Sequence, residues 1–347
     1  MTTTTVPARH FGVPRKYVPV AVTACLFVAM FLIGGFRYES FATGQVILNV
    51  FIDNAFLLVV AVGMTFVIVS GGIDLSVGSV VALTTMVSAT LMTDHGWSPW
   101  PVMLLVLVMG SVLGYAMGAI IHYFEIQPFI VTLAGMFLAR GLCYTIGTDS
   151  ISITDPTFTA LAQTRIDLGP ELGISPSVVI AAVVVLVAGY VLHYTRLGRS
   201  VYAVGGDENS ALLMGIAVAR TKIAVYTISG LCSALGGILL SFYMLSGNGS
   251  RAVGMELDAI AAVVIGGAVL TGGSGYLVGT VLGVLVLGLT QTILSFEGTL
   301  SSWWTRIVIG LLLLAFILLQ RLISAGRATK LLRQNIALRT SALLRRT

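Results

Sequence analysis

The sequence predicts an all-α polytopic membrane protein of about ten transmembrane helices, with a parallel pseudo-repeat and both termini cytoplasmic. Three observations predict it. Apolar residues make up 57% of the chain and charged residues only 10%. The apolar residues gather into runs near the length of about 20 that a membrane-crossing helix needs. Basic residues concentrate in alternate connections, as they do when retained on the cytoplasmic side.

The runs fall near 18–36, 53–70, 75–93, 101–122, 129–147, 176–195, 221–246, 255–271, 274–296 and 303–321, the eighth and ninth nearly merging. The first is span-length and lacks a small-residue cleavage pattern after Gly34 and Gly35, so it is kept as a span and not taken as a removed signal. Arg9, Arg15 and Lys16 precede it; Arg196, Arg199, Arg220 and Lys222 flank the connection after the sixth run; Arg321, Arg327, Lys330, Arg333, Arg339, Arg345 and Arg346 close the chain. The opposite connections hold Arg37, Arg165 and Arg251. This gives a cytoplasmic segment 1–17, a transmembrane domain 18–323 with an inner loop 196–220, and a basic cytoplasmic tail 324–347. The net charge of +5 then belongs to loops and a tail beside anionic lipid, and no folded basic domain for nucleic acid remains.

Between the second and third runs stands SGGIDLSVGS at 70–79, and TGGSGYLVGT recurs at 271–280. A shift of 201 positions superposes Gly71 on Gly272, Gly72 on Gly273, Val77 on Val278 and Gly78 on Gly279, and lays the first four runs over the last four in the same direction. Transporters place their path between such repeats. The glycines break the helix, which inside a membrane is tolerated only where the freed backbone is buried in protein or lines a cavity. Asp74 carries a charge that costs about 2.5–3.5 kcal/mol at bilayer depth. Two roles fit it: capping the helix that restarts near Leu75, together with Ser76, or meeting a hydroxylated solute.

The fifth run opens on IQPFIVTLAGM, where Pro128 suits a first helical turn. Gln127 and Thr132 there, with Asp53, Asn54, Gln291 and Thr292 elsewhere, are polar groups that can line a path or bond helix to helix. Arg140 lies inside the fifth run and needs an anionic or carbonyl partner; a structural ion pair is the expectation. The outer connection 148–175 is acidic and turn-rich, which suits either a partner-facing surface or an ordinary loop. Glu256 and Asp258 are expected at the hydrated outer end of the eighth run. Cys25, Cys143 and Cys232 have no paired spacing and the four histidines no ligand pattern, so neither disulfide nor metal is expected.

The inner loop reads GGDENSALLMGI at 205–216. Asp207 is placed to cap, Glu208 suits the positive end of a first turn, and Gly215 stops the helix, predicting a short helix with an exposed apolar face. Such a face lies in the lipid interface or docks into a partner's groove.

The runs DNAFLLVVAVGMTFVIVSGGIDLSVGS, QPFIVTLAGMFLARG, YAVGGDENSALLMGI, ELDAIAAVVIGG, TGGSG and GTLSSWWTRI resemble the permease subunits of ribose-type sugar ABC importers, most closely the galactofuranose-type permease. The likeness spans about 18–323. It implies a non-enzymatic subunit of the bacterial inner membrane that forms a monosaccharide path by alternating access. It also implies a cytoplasmic ATPase, a second permease chain that is a paralogue, and a periplasmic sugar-binding protein. By the same likeness, Gly205, Gly206, Asp207, Glu208, Asn209, Ala211, Leu213, Met214 and Gly215 would form the helix that couples to the ATPase, although the family often has Asn at the Asp207 position. The path candidates are Asn54, Gly71, Gly72, Asp74, Ser76, Gln127, Thr132, Gly272 and Gly273. The chain has no GxxxxGK[ST] loop, so ATP and magnesium would be used by the partner and no cofactor is expected in this chain. The alternatives are an ion-gradient-driven carrier with Asp74 and Arg140 as its coupling pair, and an intramembrane enzyme, for which no nucleophile and base cluster is present in the sequence.

Overall fold

A computed structural model describes residues 18–169, 172–298 and 303–318. The amino-terminal segment and the basic tail assigned from the sequence lie outside the described residues. The helices are α1 (Val18–Arg37), α2 (Gly44–Val69), α3 (Val77–Thr93), α4 (Pro99–Tyr123), α5 (Pro128–Ile146), α6 (Pro156–Gln163), α7 (Pro176–Tyr194), α8 (Arg196–Gly206), α9 (Glu208–Leu213), α10 (Val218–Met244), α11 (Met255–Ile265), α12 (Leu277–Glu297) and α13 (Trp303–Leu318). Pro99, Pro128 and Pro176 each begin a helix, where the missing amide costs nothing.

Among the described residues seven helices are long and apolar enough to cross a membrane: α1, α2, α4, α5, α7, α10 and α12. α3 and α13 are shorter apolar helices. The eighth run does not form a full-length helix. α11 has 11 residues, about 16 Å of helix, against a hydrocarbon core of about 30 Å. The chain gives up the helix at Gly266 and runs irregularly to Tyr276. α2 starts at Gly44, well before the expected 53, because Thr43 caps it by accepting from Val46 N and the polar Gln45, Asn49 and Asp53 ride on its first turns.

α2 is the central post, buried without interruption from Leu57 to Val69, with α7, α10, α11 and α12 around it. α10 closes on α4 through a row of glycines: Gly110, Gly114 and Gly118 let the backbones touch at Gly230, Tyr226 and Ile223. Such small-residue stripes replace the hydrophobic drive that lipid cannot supply.

Two short pairs of strands form in the outer connections, where a sheet was not expected. β1 (Ile151–Ser152) pairs antiparallel with β4 (Ser246–Gly247), and β2 (Ile166–Gly169) with β3 (Leu172–Ile174). After β4 the chain dips back along α3: Asn248 N meets Thr85 Oγ1, and a Cβ at Gly78, near the start of α3, would strike the Ala252 carbonyl and the Glu256 carboxylate. Glu256 therefore sits beside the first turn of α3, not at the outer end of a span. Asp258 pairs with Arg306 of α13 at 2.9 Å.

Candidate functional site

The site is assembled at the end of the bundle that carries Arg196, Arg199, Arg220 and Lys222. α9 is a six-residue helix held at both ends by its own sequence. Asp207 is extended, and its carboxylate accepts from Ser210 N at 2.6 Å. Hydrogen bonding to Ser210, through its side chain and its backbone amide, holds the Asp207 pKa below the usual carboxylate value, so the cap survives neutral pH and is lost only as pH falls through the lowered pKa. At the other end Gly215 adopts φ +77°, Gly215 N donates to Leu212 O at 2.9 Å and Ile216 N to Ala211 O at 3.0 Å, a Schellman closure. Ala211 is buried against Val204 and Val218. Leu212, Leu213 and Met214 are exposed, Leu213 by 88%. Glu208 and Asn209 are exposed as well, and Glu208 pairs with Lys222 at 2.7 Å. An apolar tip on a capped helix lies in the lipid interface or docks into a partner's groove.

Behind α9, three glycine pairs meet. α8 ends on Gly205 and Gly206, α2 turns into α3 through Gly71 and Gly72, and α11 turns toward α12 through Gly272 and Gly273. A Cβ at Gly205 would collide with the Val69 carbonyl oxygen and stand 2.7 Å from Gly273 N. A Cβ at Gly272 would stand 2.7 Å from Gly71 Cα. Gly273 N donates to Val69 O at 2.8 Å, tying the two turns directly. The first glycine pair matched by the 201-position shift shares a backbone state, Gly71 at φ +84° and Gly272 at φ +86°, whereas in the second pair only Gly273, at φ +72°, is left-handed. The repeat in the sequence thus becomes a contact between its own two copies.

α8 and the end of α7 are also fastened to the second turn by side chains. Tyr202 Oη donates to Gly275 O at 2.6 Å, and the His193 ring stacks on Tyr276 with centroids 6.0 Å apart. Burial pushes the Tyr202 phenol up to about 12, which keeps it a donor at any physiological pH.

Asp74 lies one turn beyond the junction and is fully buried. Its Oδ1 accepts from Ser76 N at 2.9 Å and Ser76 Oγ at 2.6 Å, and its Oδ2 accepts from Ser229 Oγ of α10 at 2.7 Å. Of the two roles open from the sequence, the geometry is that of a structural clasp: Asp74 fixes the start of α3 and staples the broken segment to α10. Ser76 is buried with it. Ser229 was not anticipated, since a lone serine in an apolar run carries no signal until the fold sets it opposite a carboxylate.

The other candidates disperse. Gln127 precedes α5 and lines a cleft of about 490 Å³ beneath α9, with Glu208, Asn209 and Lys222. Thr132 is buried, its hydroxyl 2.9 Å from Pro128 O and 3.3 Å from Ile73 O, a helix-to-turn contact. Asn54 is buried at the opposite end of the bundle and donates to Val50 O at 2.9 Å. Arg140, expected in an ion pair, donates instead to Gly249 O at 2.5 Å and Arg251 O at 2.7 Å, and no acidic side chain pairs with it among the described residues. The dipping strand exposes carbonyls that have no ladder partner, and the guanidinium supplies it.

Residues 46–317 match the family described as the branched-chain amino acid transport system / permease component. The chain is 46% identical over 309 residues to the inner membrane ABC transporter permease protein YjfF of Escherichia coli (strain K12), covering 88% of this chain and 93% of that one. It is 41% identical over 326 residues to the fructose import permease protein FruG of Bifidobacterium longum (strain NCC 2705), covering 92% and 95%. It is 36% identical over 318 residues to the ribose import permease protein RbsC of Escherichia coli (strain K12), covering 92% and 98%. No solved structure matches the chain.

Proposed function

We propose, on the premise that this chain belongs to the permease-component family of branched-chain amino acid transport systems and to its ribose-type sugar ABC branch, that it is the membrane subunit of an ATP-driven monosaccharide importer. It is a multi-pass inner-membrane transport component, not an enzyme, and permeases of this kind work with an ATPase and a binding protein. The observation that carries the mechanism is the contact of α8 with both glycine turns. A partner that pushes or pulls on Leu213 and Met214 moves α9 and, through Gly205, moves Val69 and Gly273 together. The two repeats then rock as halves about one backbone junction, which is what alternating access requires. ATP and magnesium belong to the ATPase in this scheme; the second permease is a paralogue, as in galactofuranose-type systems.

The ion-driven alternative needs Asp74 and Arg140 to act as a pair. Each is bonded elsewhere, Asp74 to serines and Arg140 to carbonyls. A carrier of that design is disfavoured on those contacts.

Met214→Asp tests the docking assignment. A carboxylate on the exposed tip leaves the fold of α9 untouched but puts a charge into an apolar groove, a loss of about 2 kcal/mol or more of binding. Tagged Met214→Asp chain is expected to express and insert as the parent does, and to lose the co-purifying ATPase. Full recovery of the ATPase with the variant would remove α9 from the interface.

A further inference from the structure

At the end of the bundle opposite α9, the first turns of α2, the end of α10 and the last turns of α12 enclose a cleft of about 500 Å³. Its polar lining is Asn49 and Asp53 from α2, Tyr243 from α10, and Gln291, Thr292 and Ser295 from α12. Phe56 and Phe296 form apolar walls, and Phe56 lies 6.1 Å from the Tyr243 ring. Asn54 and Gly288 close the floor, with the Asn54 amide against Gly288.

These groups are not consumed by the fold. Asp53 receives one long bond, from Tyr243 Oη at 3.4 Å. Asn49 accepts from Gln45 through its oxygen at 2.8 Å, which leaves its amide donors for another partner. Thr292 and Ser295 spend their protons on the Gly288 and Gln291 carbonyls, so their oxygens remain acceptors. Asp53 and Gln291 are exposed although they lie within otherwise apolar helices. From the Thr43 cap to Asp53 is ten residues of α2, about 15 Å along the axis. A carboxylate at such depth does not face hydrocarbon; it faces water, protein or a polar ligand.

The chemistry of the lining selects the ligand class. A carboxylate and two carboxamides offer planar donors and acceptors for several hydroxyls, and aromatic faces cover the apolar side of a ring. The volume falls in the range of about 300–1,000 Å³ usual for small-molecule sites. We propose that this cleft is the admission site at which an incoming monosaccharide first contacts this subunit, with Asp53 and Gln291 as its principal hydrogen-bonding groups. The proposal rests on the importer reading above. It assigns the path's outer contact to the α2, α10 and α12 face, away from Asp74.

The test uses the assembled transporter in a Cys25→Ser background, because Cys25 is exposed while Cys143 and Cys232 are buried. Gln291→Cys is treated from outside with a membrane-impermeant charged thiosulfonate, with and without binding protein loaded with D-ribose, D-fructose or L-arabinose. Expected is labelling at position 291, protection by the loaded binding protein for the sugar transported, and loss of uptake once labelled. Gln291→Ala is expected to raise KM about five- to tenfold with little change in maximal rate or in ATPase co-purification. Absence of labelling, or full-rate uptake by labelled protein, overturns the site. If the unmodified transporter shows no ATP-dependent uptake of any of the three sugars, the importer reading fails and this assignment fails with it; uptake by the parent with an indifferent Gln291→Ala and an unreactive Gln291→Cys sinks the cleft alone.

Discussion

Gly205→Ala is expected to abolish uptake while the ATPase still co-purifies, whereas Gly206→Ala, one residue away in the same dipeptide, is expected to transport normally. The difference is geometric. The added methyl at Gly205 would occupy the position of the Val69 carbonyl oxygen and crowd Gly273 N, so α8 must lift away from both glycine turns. At Gly206 a Cβ meets nothing within 4 Å, and its backbone is not in the left-handed region. Overpacking of this sort costs about 1–3 kcal/mol, enough to part the junction without unfolding a bundle of this size. The readout is uptake together with ATP hydrolysis in the purified complex: Gly205→Ala should hydrolyse ATP without response to loaded binding protein. Equal behaviour of the two variants would show that the junction transmits nothing.

Asp74→Ala is expected to lower both yield and melting temperature sharply, and Asp74→Asn to restore most of the loss. Alanine strands Ser76 N, Ser76 Oγ and Ser229 Oγ in the protein interior, and each buried group left without a partner costs about 1–3 kcal/mol. Asparagine keeps the oxygen that accepts from Ser76, and its amide can donate to Ser229 once that hydroxyl reverses. A clasp tolerates this exchange because it needs geometry and not charge. An ion-coupling carboxylate would not, so Asp74→Asn with wild-type melting temperature but no transport would reinstate a functional charge here.

The apolar runs made most of the membrane helices legible, because length and hydropathy are local properties. The apolar runs placed the starts of α4, α5 and α7 to within two residues, with Pro128 marking the first turn of α5. α9 was legible to its last hydrogen bond, since Asp207 and Gly215 act on their own backbone neighbours. The repeat was legible as spacing, and the first glycine of each turn, Gly71 and Gly272, shares a left-handed conformation. What the spacing could not reveal is that the turns touch each other and that Gly205 sits between them, because that depends on how α8 folds back.

Three readings turn on contacts that no local stretch of sequence carries. The run 255–271 is apolar enough to span, but Gly266 and Gly267 end the helix early where Gly266 packs on Gly279. Arg140 was expected to meet an anionic or carbonyl group, with an ion pair as the default, because a dipping segment with open carbonyls has no hydropathy signature. Asp74 was left between two roles, and the contact that favours the clasp comes from Ser229, 155 residues away. The glycine row at 110, 114 and 118 was visible as a small-residue stripe and passed unused; it marks where α10 docks.

Uptake into proteoliposomes tests the central claim most directly. This chain is reconstituted with its co-purifying ATPase and second permease, ATP is enclosed on the ATPase side, and binding protein loaded with labelled D-ribose, D-fructose or L-arabinose is supplied on the other. The account predicts accumulation that requires ATP, the ATPase and an intact α9, and is indifferent to collapse of proton and sodium gradients. Accumulation by this chain alone, following an ion gradient and needing no ATP, would contradict it.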